Sequence, residues 1–264
     1  MTFGHFIYIK LARVPHEEAA NMRFVRRSTS IPVPRVWAAF HLQPRLFWWR
    51  RKWSWDKTAD YPHDAFLFMT RVPGKPLDMF TWLKLDKDAQ DRIIIQLRQY
   101  FEQLRSLKPP PNTIIGSVNG SGVCDARLEI GWPRDKSAVI DGPFQDEAEL
   151  NAFIRMQRPL TDFNAAVNEA HNRTHALVFT HGDLALRNIM VKGDTITGLI
   201  DWESAGWFPE HWEYLKVYWS PDLHPMQELW LDRVKEIIQP YELENTGERE
   251  LIKGLHSVPP TVWD

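Results

Sequence analysis

The stretch "HGDLALRN", His181 to Asn188, sets a histidine, an aspartate, an arginine and an asparagine close together, just after the apolar run "ALVF". Downstream, "NIMVK" and "TITGLI" flank Gly193-Asp194, a dipeptide suited to a tight hairpin turn. Across such a turn Lys192 faces Thr195, Asn188 comes out near Leu199, and Asp201 returns beside Asn188. The loop carrying His181 and Asp183 enters at the same end. One hairpin therefore gathers Asp183, Asn188 and Asp201. Two carboxylates and an amide suit a hard divalent cation such as Mg²⁺, with one carboxylate left to take a proton. Phosphoryl transfer needs both functions: a metal to offset phosphate charge and a base to orient an attacking hydroxyl. The plain alternative is a polar turn in which Asp183 and Asn188 bond only to backbone. An isolated H-x-D would favour that alternative. H-x-D-x-x-x-x-N followed by an apolar hairpin and an aspartate arises far less often by chance.

The elements that must position these residues are legible in outline. "HFIYIKL", residues 5–11, alternates and is rich in β-formers, which predicts a strand. "HEEAANMRFVRRS" carries Ala19, Met22 and Val25 at helical spacing. Pro32 and Pro34 stop that helix and lead into a strand near 35–40, and "AFLFMTRV" is a further strand broken by "PGKP". Helices dominate afterwards. "DKDAQDRIIIQLRQYFEQLRSLK" places Ile93, Leu97, Tyr100, Phe101, Leu104 and Leu107 on one face. "PPPNTIIGSVNGSG" is a loop whose glycines fit neither a Walker loop nor GxGxxG. "DEAELNAFIRMQ" begins a helix expected to run, bent at Pro159, toward residue 172. "ALVFT" is a strand, and the end of the chain is helical, including "MQELWLDRVKEII".

Composition narrows the possible functions. The chain has 264 residues, 44% hydrophobic and 25% charged, enough for a sizeable core in one large domain or two lobes. A formal net charge of −2 gives no global basic field for nucleic acid. The single cysteine, Cys124, excludes a disulfide framework. No apolar run approaches the ~20 residues of a membrane span, and the N-terminus lacks a signal-peptide pattern, so a cytoplasmic location is expected. Tryptophan is abundant, with 13 residues. Trp48, Trp49, Trp53 and Trp55 crowd into "FWWRRKWSW", read as a surface insertion spanning 43–60, although such a mixture could also stack on bases or rest on a membrane. His171 and His175 stand at i, i+4, a spacing that can bind zinc, but no third ligand is evident, so they are read as a polar helix end.

"HGDLALRN" followed by "GLIDWESAGWFPEHWEY" resembles the catalytic segment of the aminoglycoside phosphotransferase family, closest to its fungal members. The resemblance covers nearly the whole chain outside 43–60. It implies an α+β, protein-kinase-like fold: a small, incomplete, β-rich N-terminal lobe with one helix, residues 1–72, and a larger, mainly helical C-terminal lobe with the catalytic hairpin, residues 73–264. It implies ATP and Mg²⁺ as cofactors and a hydroxyl-bearing small molecule as acceptor. Asp183 would be the catalytic base, His181 a brace for its loop, and Asn188 and Asp201 the metal ligands. "IYIKLARVPHEEAANMRFV" is similar to the family's strand lysine and following helix. Lys10 would then contact the nucleotide phosphates and Glu18 would pair with it. Glu17 is the adjacent competitor, and spacing to Met22 and Val25 favours Glu18. Met69 would flank the adenine, and Thr70, Arg71 and Val72 would form the hinge that bonds it through backbone.

The chain departs from the family in two places. Trp202 and Glu203 replace the last two residues of the kinase D-F-G, as in the antibiotic-kinase pattern. Kinases of this type also cover the phosphates with a glycine-rich loop between two strands ahead of the lysine. Only nine residues precede Lys10, with Gly4 their only glycine. The expectation is therefore an N-terminally truncated lobe and an unpaired edge on the Lys10 strand. That loss makes a catalytically impaired binding protein the alternative to an active small-molecule kinase. Protein kinase activity is disfavoured because no A-P-E segment follows Asp201.

Overall fold

The structure, a computed structural model, describes residues 2–3, 6–41, 65–129, 140–219 and 225–256. The tryptophan-rich segment 43–60 and Gly4 lie outside these residues. Five N-terminal elements come first: β1 (Thr2–Phe3), β2 (Ile7–Leu11), α1 (Pro15–Ser28), β3 (Val36–His41) and β4 (Ala65–Thr70). The strands form an antiparallel sheet in the order β1-β2-β4-β3, with α1 lying against β3 and β4. The expected bare edge of the Lys10 strand is corrected in part. β1 pairs with β2 through Thr2↔Tyr8 and Phe3↔Ile7, because two residues suffice for an antiparallel contact across a short connection. Lys10 itself pairs only with Leu67 of β4 among the described residues.

Pro15 starts α1 at a position that tolerates its missing N–H. Glu17 and Glu18 lie in the first turn and Arg26 and Arg27 in the last, matching the helix dipole. Its buried face carries Glu18, Asn21, Met22 and Val25, spaced i, i+3, i+4, i+7.

The rest of the chain is mainly helical. β5 (Lys75–Pro76), α2 (Met79–Lys84) and α3 (Lys87–Ser106) lead to α4 (Glu147–Ile154) and α5 (Ala165–His171). Then come β6 (Leu177–Thr180), β7 (Ile189–Lys192), β8 (Thr195–Leu199) and β9 (Gly206–Pro209). The helices α6 (Trp212–Tyr218), α7 (Pro225–Val234) and α8 (Glu242–His256) follow. β7 lies between β5 and β8, and β6 pairs with β9. The Asp86 side chain caps α3 by accepting from Ala89 N at 2.8 Å. Ile93, Ile94, Leu97, Phe101 and Leu104 of α3 are buried, each such side chain contributing about 1.5–3 kcal/mol. They join Met22, Val25, Leu67, Ile189, Leu199 and Trp202 in one apolar cluster, so a single core supports both the sheet and the hairpin. No described helix is long and apolar enough to cross a membrane.

The predicted long helix after Asp146 is instead two short ones. α4 ends at Ile154, and Met156 and Gln157 take left-handed φ values of 57° and 58°. A 3₁₀ turn, Leu160–Asp162, intervenes before Asn164 caps α5 by accepting from Val167 N. Pro159 lacks the N–H that continuation requires, and Asn164 offers a fresh start.

A buried ion cluster ties α6 and α8 to the preceding loop. Asp125 accepts from Arg127 at 3.1 Å and from Lys216 at 2.6 Å, and Arg127 reaches Glu248 at 2.9 Å. The Arg127 guanidinium also lies 4.0 Å over the Trp212 ring. Burial alone would raise the Asp125 pKa, but Arg127 and Lys216 outweigh it and hold it down to about 2, below the ordinary 3.8. A depressed carboxylate pKa contributes stability above the unfolded value and loses it as pH falls through the folded one. The stability Asp125 supplies should therefore be complete above about pH 5 and disappear toward pH 2, roughly 2 kcal/mol in all. Urea unfolding of the parent and of Asp125→Asn across this range checks it. Identical acid slopes in the two proteins would show that Asp125 supplies none of the pH dependence.

Candidate active site

β6 delivers His181 to the mouth of the hairpin. Its backbone N–H and that of Gly182 both donate to one oxygen of the buried Glu213, at 2.8 and 3.0 Å. The His181 Nε2–H donates to the Ile200 carbonyl at 3.1 Å, and Nδ1 accepts from Asp183 N at 3.2 Å. Its ring packs at 4.4 Å against Trp202. His181 therefore braces the loop to β8. Gly182 has φ +78°, and a Cβ there would lie 2.2 Å from the Ser204 carbonyl oxygen, so no side chain fits.

Asp183 accepts from Asn188 Nδ2 at 2.7 Å and from the exposed Arg187 at 2.7 Å. Asn188 Nδ2 also donates to the Asp183 carbonyl, while its Oδ1 makes no hydrogen bond among the described residues. The hairpin register differs by one residue from the sequence expectation. A bulge between Met190 and Val191 pairs Ile189 with Leu199, so Asn188 O accepts from Ile200 N at 3.0 Å. The extra residue in the strand brings Asp201 immediately after this contact. Asp201 itself sits at φ +68°, a conformation aspartate reaches more readily than most side chains.

Lys10 crosses from the sheet to meet the hairpin. Its ammonium pairs with both oxygens of Glu18, at 2.9 and 3.0 Å, with Asp201, and with Glu203 at 3.5 Å. Glu18 is fully buried and Glu17 is not, as the face through Met22 and Val25 requires. Burial disfavours the Lys10 ammonium, but the Glu18, Asp201 and Glu203 carboxylates outweigh it and raise its pKa above the ordinary lysine value. Burial pushes Glu18 upward against the pull of Lys10. Burial also raises Glu203, opposed by Lys10 and reinforced by Asp201. Three carboxylates face the Lys10 ammonium, and Arg13 also acts on Glu203. The carboxylate oxygens of Glu18, Asp201 and Glu203 lie within 4.8 Å of one another. An all-oxygen donor set of this kind fits a hard divalent cation.

In the segment expected to act as a hinge, two of the three amides are engaged within the sheet. Met69 is buried in the core between Tyr8 and Val36. Thr70 N donates to the Arg35 carbonyl and Arg71 N to the Phe6 carbonyl, so those two amides are already engaged in holding the sheet together. Val72 packs on Gly198, where a Cβ would come within 2.8 Å of its Cγ1. Of the amides of Thr70, Arg71 and Val72, that of Val72 has no such engagement among the described bonds.

Three residues that position the site carry no role in the sequence reading. Glu213 anchors the loop as described. Asn21 donates to the Trp202 and Ala205 carbonyls at 3.1 and 2.7 Å and accepts from Ser117 and Val118. Glu203 completes the ring of acids around Lys10. A polar residue on the apolar stripe of α1, and a glutamate among the aromatics of "HWEY", are the signals that mark the first two. The histidine pair does not share a helix. α5 ends at His171, which accepts from Arg155, whereas His175 turns away to Glu147 and Glu244.

A lysine on a sheet paired with a helix glutamate, facing an antiparallel hairpin that presents aspartate and asparagine, is the arrangement of a protein-kinase-like phosphotransferase. The chain belongs to the phosphotransferase enzyme family, whose model matches residues 9–236. Searching curated proteins finds no match. Solved structures agree on the fold. The GDP complex of wild-type aminoglycoside 2'-phosphotransferase-IIIa is 15% identical with a TM-score of 0.51, over 96% of this chain and 76% of that one. ADP-bound aminoglycoside phosphotransferase APH(2'')-Ib is 13% identical with a TM-score of 0.52, over 94% and 75%. The streptomycin–ATP–APH(2'')-IIa ternary complex gives the same identity, score and coverage.

Proposed function

We propose that the protein transfers the γ-phosphate of ATP to a hydroxyl of a small-molecule acceptor, with residues 1–72 as the nucleotide lobe and 73–264 as the catalytic and acceptor lobe. The observation that carries this reading is the joining of Lys10 and Glu18 to Asp201 at the mouth where Asp183 and Asn188 pair. Asp183 accepts the acceptor's hydroxyl proton as the new oxygen–phosphorus bond forms and ADP departs. His181 and Glu213 hold its loop in place. Lys10, freed from part of its ring of acids, has charge to meet nucleotide phosphates, with Glu18 fixing its position. Asn188 Oδ1 and Asp201 are the residues that would hold Mg²⁺, which when bound offsets phosphate charge. Met69 and the backbone of Thr70, Arg71 and Val72 border the place for the adenine. Nucleotide-bound neighbours of the same fold support the reading.

The test separates metal binding from structure. Asparagine tolerates the positive φ of Asp201, so Asp201→Asn removes the charge without straining the backbone. ATP affinity measured with Mg²⁺ should fall about tenfold, roughly 1.4 kcal/mol, and much less without it. Asn188→Ala should cost less, since it removes a dipole where the other removes a charge. Equal losses with and without Mg²⁺ would mean that Asp201 serves the fold alone.

A further inference from the structure

We propose that Glu147, His175 and His211 form a binding site for a zinc-class divalent cation, built from residues that take no part in the proposed phosphoryl transfer. The three come from separate places: the start of α4, the loop after α5, and the residue before α6. Glu147 Oε2 accepts from the His175 backbone N–H at 2.7 Å, which fixes the carboxylate and leaves Oε1 turned inward. That Oε1 lies 2.8 Å from His175 Nδ1 and 3.6 Å from His211 Nδ1. A tetrahedral zinc with ligands about 2.0–2.1 Å away places neighbouring ligand atoms about 3.3 Å apart, midway between these distances. All three ligand atoms fall within 4.8 Å of one another.

A second observation points to a ligand. His211 is only 7% exposed, and its Nδ1 is buried with no hydrogen-bond partner, although it faces Glu147. A buried nitrogen left without a partner is unfavourable, and coordination would satisfy it. His175 is also arranged as a ligand. Its Nδ1 faces the cluster, while its Nε2 is 3.3 Å from Glu244 Oε1, the carboxylate–histidine pairing that orients a coordinating imidazole. Two imidazoles and one carboxylate suit zinc rather than magnesium. Glu147 supplies one negative charge to the cluster, and Glu244, also 3.5 Å from Arg173, stands behind His175. A cavity of about 20 Å³, bordered by His211, His171 and Glu244, has room for one water beside His211. Bound metal would clamp α4, α6 and the loop after α5, with Glu244 of α8 behind His175. The site therefore serves stability of the acceptor-side helices.

The experiment is a Co²⁺ titration of the full chain, stripped by chelator and free of nucleotide, followed by visible absorption and repeated with Zn²⁺ in competition. One equivalent of Co²⁺ should give the intense bands of tetrahedral nitrogen-containing coordination, Zn²⁺ should abolish them, and Zn²⁺ should raise the melting temperature. Glu244→Gln should weaken binding about 10–100-fold. His211→Ala should abolish the bands, while His171→Asn, beside the cavity but not a ligand, should retain them. A folded parent chain that yields no such bands overturns the proposal, whatever the variants do. So does unchanged binding in a folded His211→Ala. An oxygen-ligand site at Asp201 gives only weak octahedral bands, so neither result is confused with success or failure of the phosphotransferase reading.

Discussion

Asp183→Asn should lower phosphoryl transfer by about 10²–10⁴-fold, the usual loss of a general base, and leave the melting temperature almost unchanged. The substitution keeps the shape of the side chain. Its protein partners are Arg187, an exposed residue whose ion pair contributes little, and Asn188. The loop itself is held by other groups, the Glu213 carboxylate and the His181 ring. Removing the negative charge therefore removes proton acceptance while sparing the scaffold. Turnover of ATP with a hydroxyl acceptor, set beside thermal unfolding of both proteins, decides it. Undiminished turnover would remove Asp183 from the chemistry, and a collapsed fold would make it a structural turn residue.

Trp202→Ala should have the largest effect on stability, about 3–5 kcal/mol. The indole is fully buried, donates from Nε1 to the Leu199 carbonyl at 3.0 Å, and packs against His181. Its own carbonyl accepts from Asn21. Truncation leaves a cavity where the core meets the hairpin and frees the residue next to Asp201. Urea unfolding should show an earlier midpoint, and activity should fall in the folded fraction as well, because His181 loses its neighbour. A loss below about 1 kcal/mol would show that the core closes over the gap without help.

The local half of this architecture is legible in the sequence. α3 announces itself through an unbroken apolar stripe, and the hairpin through Gly193-Asp194 between two β-rich runs. Glu18 is selected over Glu17 by helical spacing alone. What escapes is set by contacts distant in sequence. The bulge that leaves Thr197 of β8 unpaired opposite Met190 and Val191 depends on how β7 fits between β5 and β8, which no periodicity reports. The break after Ile154 relies on left-handed Met156 and Gln157, residues with no turn preference. His175 shows only its neighbour His171 to a reader of the chain, because Glu147 and His211 reach it from positions 28 and 36 residues away. Occupation of the Thr70 and Arg71 amides is likewise invisible until Arg35 and Phe6 are placed beside them.

The ion pair between Lys10 and Asp201 joins positions 191 residues apart, and Asn21 reaches Trp202 across 181. On the ribosome these partners are made at very different times. At about 5–20 residues per second, the 191-residue gap between Lys10 and Asp201 takes roughly 10–40 s to synthesise. Throughout that interval β2 and α1 hold a buried-type glutamate and a lysine without the hairpin that completes them. Local folding of the first elements is fast by comparison, microseconds for a helix or hairpin. β2 and α1 can pack on β4 and α3 early, but Lys10 and Asn21 wait for their hairpin partners until those later residues are made. Chaperone engagement should consequently centre on β2 and α1, and release should coincide with emergence of the β7–β8 hairpin.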